Sequence, residues 1–311
     1  MSLQNSLNQT SPFGKIVLLV VFMLVGVALS MLILMGLNLI VFHVPMDVVS
    51  HINEGSSAAT ITAAKVLQIT SQLGLFIIPA FAFGFVTSNS TFSELRLNRR
   101  AGLHTLIFAA LLTILAIPFI NLLAQWNMNW HLPEAWAVIE EWMRDAQEAN
   151  DRMITVLAKM DTITDILVNT LMMAILPAVG EELIFRGILQ PQLIKMTKNA
   201  HVGIILTAII FSAFHMQFLG FFSRAILGVL FGYLFYYSNN IRYPIVAHFL
   251  NNFLALVLVF AFGTDVDESS FENPYDFTTV LIAVGSFIVA IALFVFTKSQ
   301  FVDESKRMQH N

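Results

Sequence analysis

The hydrophobic residues of this chain are grouped in long blocks, and most polar residues lie in the short segments between them. A helix needs ~20 apolar residues to cross the ~30 Å hydrocarbon core of a bilayer. Because most of the blocks reach that length, the pattern predicts an all-α polytopic membrane protein with about eight transmembrane helices, the fifth being short. The predicted spans are 16–42, 58–87, 102–125, 163–187, 202–217, 219–237, 243–262 and 277–297.

The composition agrees with this class of protein. The 311 residues are 57% hydrophobic and only 12% charged, whereas a soluble domain carries roughly 25% charged residues. The net charge of −4 excludes a nucleic-acid-binding protein that depends on general basicity. The chain has 0 Cys, which excludes disulfides, thiolate metal sites and a cysteine nucleophile.

The distribution of Lys and Arg predicts the orientation in the membrane. Basic residues are concentrated in cytoplasmic loops of membrane proteins, and here they cluster after every second span. We therefore expect an integral protein of the plasma (inner) membrane with residues 1–15 and 298–311 as cytoplasmic tails and 16–297 as the transmembrane domain. The residues that decide this are Lys15, Arg96, Arg99, Arg100, Lys195, Lys198, Arg242, Lys298, Lys306 and Arg307.

Residues 133–161 form the only extended segment predicted outside the membrane, on the outer side. Apolar residues recur there at helical spacing opposite an acidic face, which predicts an amphipathic helix lying on the outer surface. A linker helix packed against the bundle is an equal alternative. The apolar positions are Trp136, Ile139, Trp142 and Met143, and the acidic ones are Glu140, Glu141 and Asp145.

Several ionisable and amide side chains fall within predicted spans, where each costs free energy unless it has a partner. Lys65 and Arg224 lie near the outer ends of their spans, so we expect their long stems to reach the interface. Gln68 and Gln72 continue the Lys65 face at helical spacing, which favours hydrogen bonding between helices.

Glu181 and Glu182 have no such explanation, because they continue an apolar run within the fourth span. Arg186 follows Glu182 by four residues, so the two side chains share a helix face and form an ion pair. Glu181 then projects roughly 100° away from that pair. A carboxylate in an apolar pocket is suited to act as a general base near neutral pH. A purely structural ion-pair cluster is the alternative.

Two further pairs of residues, each with at least one polar side chain, occur in the fifth and seventh spans. Phe211 lies one helical turn before His215, so its ring is placed to pack against the imidazole. His248 shares a helix face with Asn252. Each histidine alone is typical of a hydrogen-bonded interior residue. Because lipid offers none of these polar faces a partner, we expect the three faces to converge on one another.

These residues resemble the CAAX protease and bacteriocin-processing (CPBP, or Abi) family of intramembrane proteases. The family pattern is Glu-Glu-x-x-x-Arg, Phe-x-x-x-His and His-x-x-x-Asn on successive membrane helices. The chain reproduces it in order at Glu181–Arg186, Phe211–His215 and His248–Asn252, within residues 165–255. With 11 Glu and 9 Arg, the first motif is expected by chance only roughly 0.01 times in such a chain.

The resemblance implies hydrolysis of a peptide bond in a membrane-associated substrate, either a prenylated CAAX protein or a bacteriocin-like peptide. Glu181 would activate the attacking water with help from His215, and His248 and Asn252 would stabilise the oxyanion. The supporting residues would be Glu182, Arg186 and Phe211.

The cofactor stays open at this point. Two imidazoles and a carboxylate also make the ligand set of a thermolysin-like zinc site, so His215, His248 and either Glu181 or Glu182 are a possible set for one zinc ion. A glutamate-dependent site without metal is the other possibility. The partners are membrane lipid and the substrate, and nucleic acid is not among them. The alternative functions are a proton- or ion-coupled transporter and a non-catalytic membrane scaffold.

Overall fold

The computed structural model describes residues 9–45, 48–49, 52–262 and 275–307, and every regular element in that part of the chain is helical. This confirms the predicted all-α class. Seven of these helices are long and apolar enough to cross a membrane. The long helices are α1 Pro12–Phe42, α2 Ala58–Thr87, α3 Leu103–Met128, α4 Ala137–Leu157, α5 Ile163–Thr197, α6 Ala200–Phe214, α7 Phe218–Ser238, α8 Arg242–Phe262 and α9 Phe277–Arg307.

The predicted fifth span corresponds to α6, which has 15 residues. At 1.5 Å per residue it is about 22 Å long, shorter than the ~30 Å hydrocarbon core. It begins two residues earlier than predicted, because the Asn199 side chain accepts hydrogen bonds from His201 N and Val202 N and caps the first turn. It ends at Phe214 rather than continuing to residue 217, which places His215 at its C-terminal end.

Two prolines explain local widenings of the long helices. The segments Leu73–Ile77 in α2 and Thr170–Ile175 in α5 are π-helical, and each lies just before Pro79 or Pro177. Proline lacks an N–H, and its ring clashes with the carbonyl four residues earlier. A π turn accommodates that clash without breaking the helix, so both helices remain continuous.

The described residues form two compact units. In the first, α1 crosses α2 at Gly26 and Gly74, where a Cβ on either glycine would overlap atoms of the other helix. The Ser30 hydroxyl donates to a carbonyl, and the carbonyls of Gly26 and Thr70 both lie 2.9 Å from it. Part of α5 packs on α2. The buried core of this unit includes Val44, Val49, Ile52, Ala63, Ala64, Val156, Leu157 and Met172.

The second unit is built mainly from α3, α6, α7 and α9, with the first part of α8. Gly228 lets α7 approach α6 closely, because a Cβ there would lie 3.0 Å from the Ala208 Cβ and 3.3 Å from Phe211 Cδ1. The buried core of this unit consists of Ala109, Leu112, Ala116, Ile120, Leu227, Phe231, Leu234, Tyr243, Ala247 and Phe301.

The predicted amphipathic helix is α4. Its first turns expose apolar side chains, with Val138 79% and Trp142 50% accessible. Its last turn differs, because Val156 and Leu157 are buried in the core of the first unit. The end of the helix is therefore packed on protein, while the exposed face of its beginning is consistent with the predicted surface location. That location stays a prediction.

The two cations that we expected to reach the interface both have partners in the protein. Lys65 Nζ lies 3.3 Å from Asp165 Oδ1, and the Lys65 side chain is only 12% exposed. Arg224 donates from Nη1 to Gln217 Oε1 at 2.8 Å and from Nη2 to the Gln217 carbonyl. Pairing reduces the cost of keeping these charges near the bilayer.

Glu140 ties the start of α4 to the loop before it. Its carboxylate accepts from Leu132 N at 2.7 Å and from Arg144 Nε at 2.9 Å, and it lies 2.8 Å from His131 Nδ1. Arg144 also donates to the Trp130 carbonyl at 2.9 Å. The Leu132 amide, followed by the Arg144 guanidinium, lowers the pKa of Glu140 to about 2.

This depressed pKa predicts acid sensitivity of the loop. A carboxylate whose pKa is lowered by folding stabilises the folded form at pH values above its ordinary pKa. For Glu140 this stabilisation is lost as the pH falls from about 4.5 towards 2. All four tryptophans, at positions 126, 130, 136 and 142, are in this region. We expect tryptophan fluorescence to change across that pH window and to be shifted already at neutral pH in Glu140→Gln. The control is Glu141→Gln, because Glu141 is exposed. A change in the tryptophan fluorescence of this control at neutral pH would contradict the role assigned to Glu140.

Candidate active site

The charged part of the candidate site lies on α5. Glu182 and Arg186 are both fully buried, and Arg186 Nη1 donates to Glu182 Oε1 at 2.7 Å. The predicted ion pair is therefore present. Isolated charges are strongly disfavoured in an apolar interior, and such a pair persists only when its geometry is good. The residues that follow, Leu183–Leu189, form a π-helical segment, a feature frequent at functional sites.

Glu181 lies beside an aromatic wall in the same unit. It is buried, with 6% of its surface exposed. Gly180, its neighbour, lets α2 approach closely, because a Cβ at this position would lie 2.8 Å from the Phe76 Cβ. The Phe76 ring is in turn 6.5 Å from the Phe185 ring. One side of the Gly180–Glu181 turn is thus apolar, and electrostatic interactions are stronger in such buried surroundings than in water.

The two imidazoles are organised around one phenylalanine in the second unit. The Phe211 ring centroid lies 5.1 Å from that of His215 and 5.9 Å from that of His248, edge to face in both cases. Both predicted site histidines therefore contact the Phe211 ring. The predicted contact between Phe211 and His215 is confirmed. Phe231 stacks on His248 at 5.2 Å with an interplanar angle of 23°.

One hydrogen bond defines the tautomer of His215. Its Nδ1 lies 2.9 Å from the Phe211 carbonyl oxygen. A carbonyl only accepts hydrogen bonds, so Nδ1 must carry the proton. In the neutral imidazole, Nε2 then keeps a lone pair that can accept a hydrogen bond from water. His215 is partly exposed, whereas His248 is buried.

Asn252 lies one turn after His248 on the continuous helix α8. This spacing puts both residues on one helix face, as predicted. Asn252 is partly exposed. Its amide can both donate and accept hydrogen bonds.

The structure thus groups the predicted residues in two sets. Glu182 and Arg186 form one, next to Glu181 on α5, and His215, His248 and Phe211 form the other. That the two sets meet in one chamber stays a prediction. Sequence reasoning missed Phe76 and Phe231, because aromatic residues are common in every span and nothing in their spacing distinguishes these two.

The zinc alternative concerns His215, His248 and either Glu181 or Glu182. In the ranges that the structure describes, no group of three His, Asp or Glu side chains is placed to hold one ion. The choice between a metal-free site and a zinc site stays a prediction, and the mechanism proposed for this protein uses only its own side chains.

One protein-family model matches the part of the chain that carries these residues. A family model described as type II CAAX prenyl endopeptidase Rce1-like matches residues 163–254, which is under a third of the chain but contains all three motifs. The match confirms the resemblance to the CPBP intramembrane proteases and gives the transporter and scaffold alternatives no support. No curated protein and no solved structure matched the chain.

The matched region is therefore similar to that of type II CAAX prenyl endopeptidases, and the apolar helices are those of an integral membrane protein.

Proposed function

We propose that this protein hydrolyses a peptide bond in a prenylated CAAX-type or bacteriocin-like peptide by a glutamate-activated water. Glu181 is the general base, His215 holds the water, and His248 with Asn252 stabilises the oxyanion. The observation that supports this proposal most is the placement of both imidazoles on Phe211, since a structural histidine in a membrane helix would need no partner imidazole.

The first chemical step is the attack of water on the substrate carbonyl. His215 accepts one hydrogen of the water at Nε2, since its Nδ1 proton is engaged by the Phe211 carbonyl. Glu181 takes the other proton as the water oxygen bonds to the carbonyl carbon. The same proton then passes from Glu181 to the leaving nitrogen as the C–N bond breaks, which returns the carboxylate to its starting form.

The oxyanion forms where two side-chain N–H donors are available. His248 is fixed between the rings of Phe211 and Phe231, so little reorganisation is needed when negative charge develops on the substrate oxygen. Asn252 contributes a second N–H donor from the same helix face. Preorganised donors are most effective where water is excluded.

The Glu182–Arg186 pair has a positioning role in this scheme. The Glu182 and Arg186 charges are paired within one turn of α5, and Glu181 is the adjacent carboxylate that we assign to proton transfer. The aromatic wall of Phe76 and Phe185 keeps that turn away from lipid and bulk water.

The test is cleavage by the purified full-length protein in proteoliposomes. A fluorogenic CAAX peptide is compared with and without its prenyl group, next to an unprenylated bacteriocin-like peptide. We expect His248→Ala to lower kcat by about 10²–10³-fold, the effect of removing one oxyanion donor. The control is His104→Ala, because His104 is exposed and outside the motifs.

A chelator provides the second arm of the same experiment. We expect full activity after treatment with EDTA, because no step uses a metal. Loss of cleavage with EDTA and recovery with zinc would support the metal alternative instead. If the parent protein cuts no peptide but conducts protons in the same liposomes, the proposal is wrong and a transporter replaces it.

A further inference from the structure

A row of polar side chains lies between α2 and α5, within the first unit. Lys65, Gln68 and Gln72 lie on one face of α2, at intervals of three and four residues. Asp165 and Asn169 lie one turn apart on α5, and the Lys65–Asp165 ion pair joins the two faces at 3.3 Å. We call the space between these five residues the polar seam.

Two contacts fix the direction and register of the helices along the seam. Lys65 contacts Asp165 near the start of both helices, and Phe76 contacts Gly180 further along both. The two helices are therefore parallel. With 1.5 Å per residue, Asn169 lies at a level between Gln68 and Gln72, and Gln72 lies between Asn169 and the Gly180–Glu181 turn.

The amide oxygens in the seam are buried and lack protein partners. Asn169 is fully buried and donates from Nδ2 to the Lys159 carbonyl at 3.0 Å, but within the described chain its Oδ1 has no hydrogen-bond partner. The same is true, among the described residues, of the buried Oε1 of Gln72. The hydrogen bonds between helices that the sequence favoured for Gln72 are thus not formed through this oxygen. Buried polar atoms of this kind are normally satisfied by ordered water.

The inner end of the seam is closed by an aromatic side chain. Phe76 follows Gln72 by four residues, is buried, and lies directly against Gly180. Its ring therefore stands between Gln72 and the turn that carries Glu181. The outer end is the Lys65–Asp165 pair, whose Asp165 side chain is 33% exposed. The seam thus opens at the end of the helix pair where α5 begins.

We propose that the polar seam holds ordered water from Lys65 and Asp165 to Gln72 and supplies the hydrolytic water to Glu181 past the Phe76 ring. The second half of this statement rests on the function proposed above. We expect the substrate and the water to reach the carboxylate by separate routes, because the predicted orientation puts the mouth of the seam on the outer side and the loop after α5, with Lys195 and Lys198, on the cytoplasmic side. The amides of Gln72 and Asn169 are the water-binding groups.

Hydration of the seam can be measured without any activity, since the chain contains 0 Cys. Gln72→Cys and Asn169→Cys are each treated in proteoliposomes with a small hydrophilic thiol reagent. Ile78→Cys is the control, because Ile78 is on α2 and 55% exposed on an apolar surface. Thiol reagents react with the thiolate, which forms only in contact with water, so we expect modification of the seam positions at least about tenfold faster than at Ile78. Equal, slow modification of all three thiols would overturn the proposal.

The supply of water is tested by Gln72→Met, which keeps the side-chain length but removes the amide. We expect a several-fold lower kcat with KM unchanged, because substrate binding does not involve the seam. Ile78→Met should match the parent. Fast modification of Gln72→Cys together with an unchanged kcat in Gln72→Met would show that the seam is hydrated but does not supply the hydrolytic water. That result would overturn the second half of the proposal. If the parent cleaves no peptide, the proposed function fails, while the thiol result still decides whether the seam is hydrated.

Discussion

Glu181→Gln is expected to lower kcat by about 10²–10⁴-fold, the range for removing a general base. The amide has nearly the same shape as the carboxylate but cannot take a proton from water. Because the ion pair of the neighbouring Glu182 is left intact, the variant should fold like the parent. The measurement is kcat and KM on the prenylated peptide, together with the apparent melting temperature in detergent.

Glu141→Gln is the matched control for this result. Glu141 is exposed on α4, so the same chemical change there should leave cleavage and melting unchanged. Cleavage by Glu181→Gln at the parent's rate would show that another group acts as the base. A large drop in melting temperature would show instead that Glu181 is a structural residue.

Arg186→Met is expected to have the largest effect on folding. The change leaves the fully buried carboxylate of Glu182 without the guanidinium that now lies 2.7 Å from it. Breaking a buried pair by removing one partner costs about 3–5 kcal/mol. We therefore expect a much lower yield of folded protein and a lower apparent melting temperature in detergent.

The double variant Glu182→Leu/Arg186→Met separates charge from packing. Replacing both members of a buried ion pair by apolar residues is often neutral or stabilising, so we expect the double variant to melt well above Arg186→Met and close to the parent. If the pair only maintains the fold, the double variant will also recover cleavage. If the pair positions Glu181, the double variant will fold but cleave slowly. A double variant as unstable as Arg186→Met would contradict the electrostatic explanation.

The membrane helices and the Glu182–Arg186 pair could be predicted because the information is local. A span follows from the mean hydropathy of ~20 consecutive residues, and an ion pair four residues apart follows from the helical repeat. The same repeat placed Phe211 against His215 and His248 on the face of Asn252. The order of the three motifs was enough to predict the family that the match over 163–254 confirms.

Other features depend on residues that are distant in the chain, and no periodicity reports them. The partner of Lys65 is 100 residues away in Asp165, and the ring stacked on His248 is Phe231 of the preceding helix. The fifth span was predicted two to three residues too late in the chain. Its helix α6 begins after the Asn199 cap and ends at Phe214, where His215 turns its Nδ1 to the Phe211 carbonyl.

The sequence by itself therefore determined an all-α membrane protein that resembles the CAAX-type intramembrane proteases, with its carboxylates, imidazoles and amide in three specified spans. Only the tertiary structure decided which aromatic rings hold the imidazoles, which cations are paired within the protein, and where buried amides line a polar seam. The physical reason is that hydropathy and helical spacing act over one or two turns, whereas side chains on different helices meet only through the packing of the whole unit.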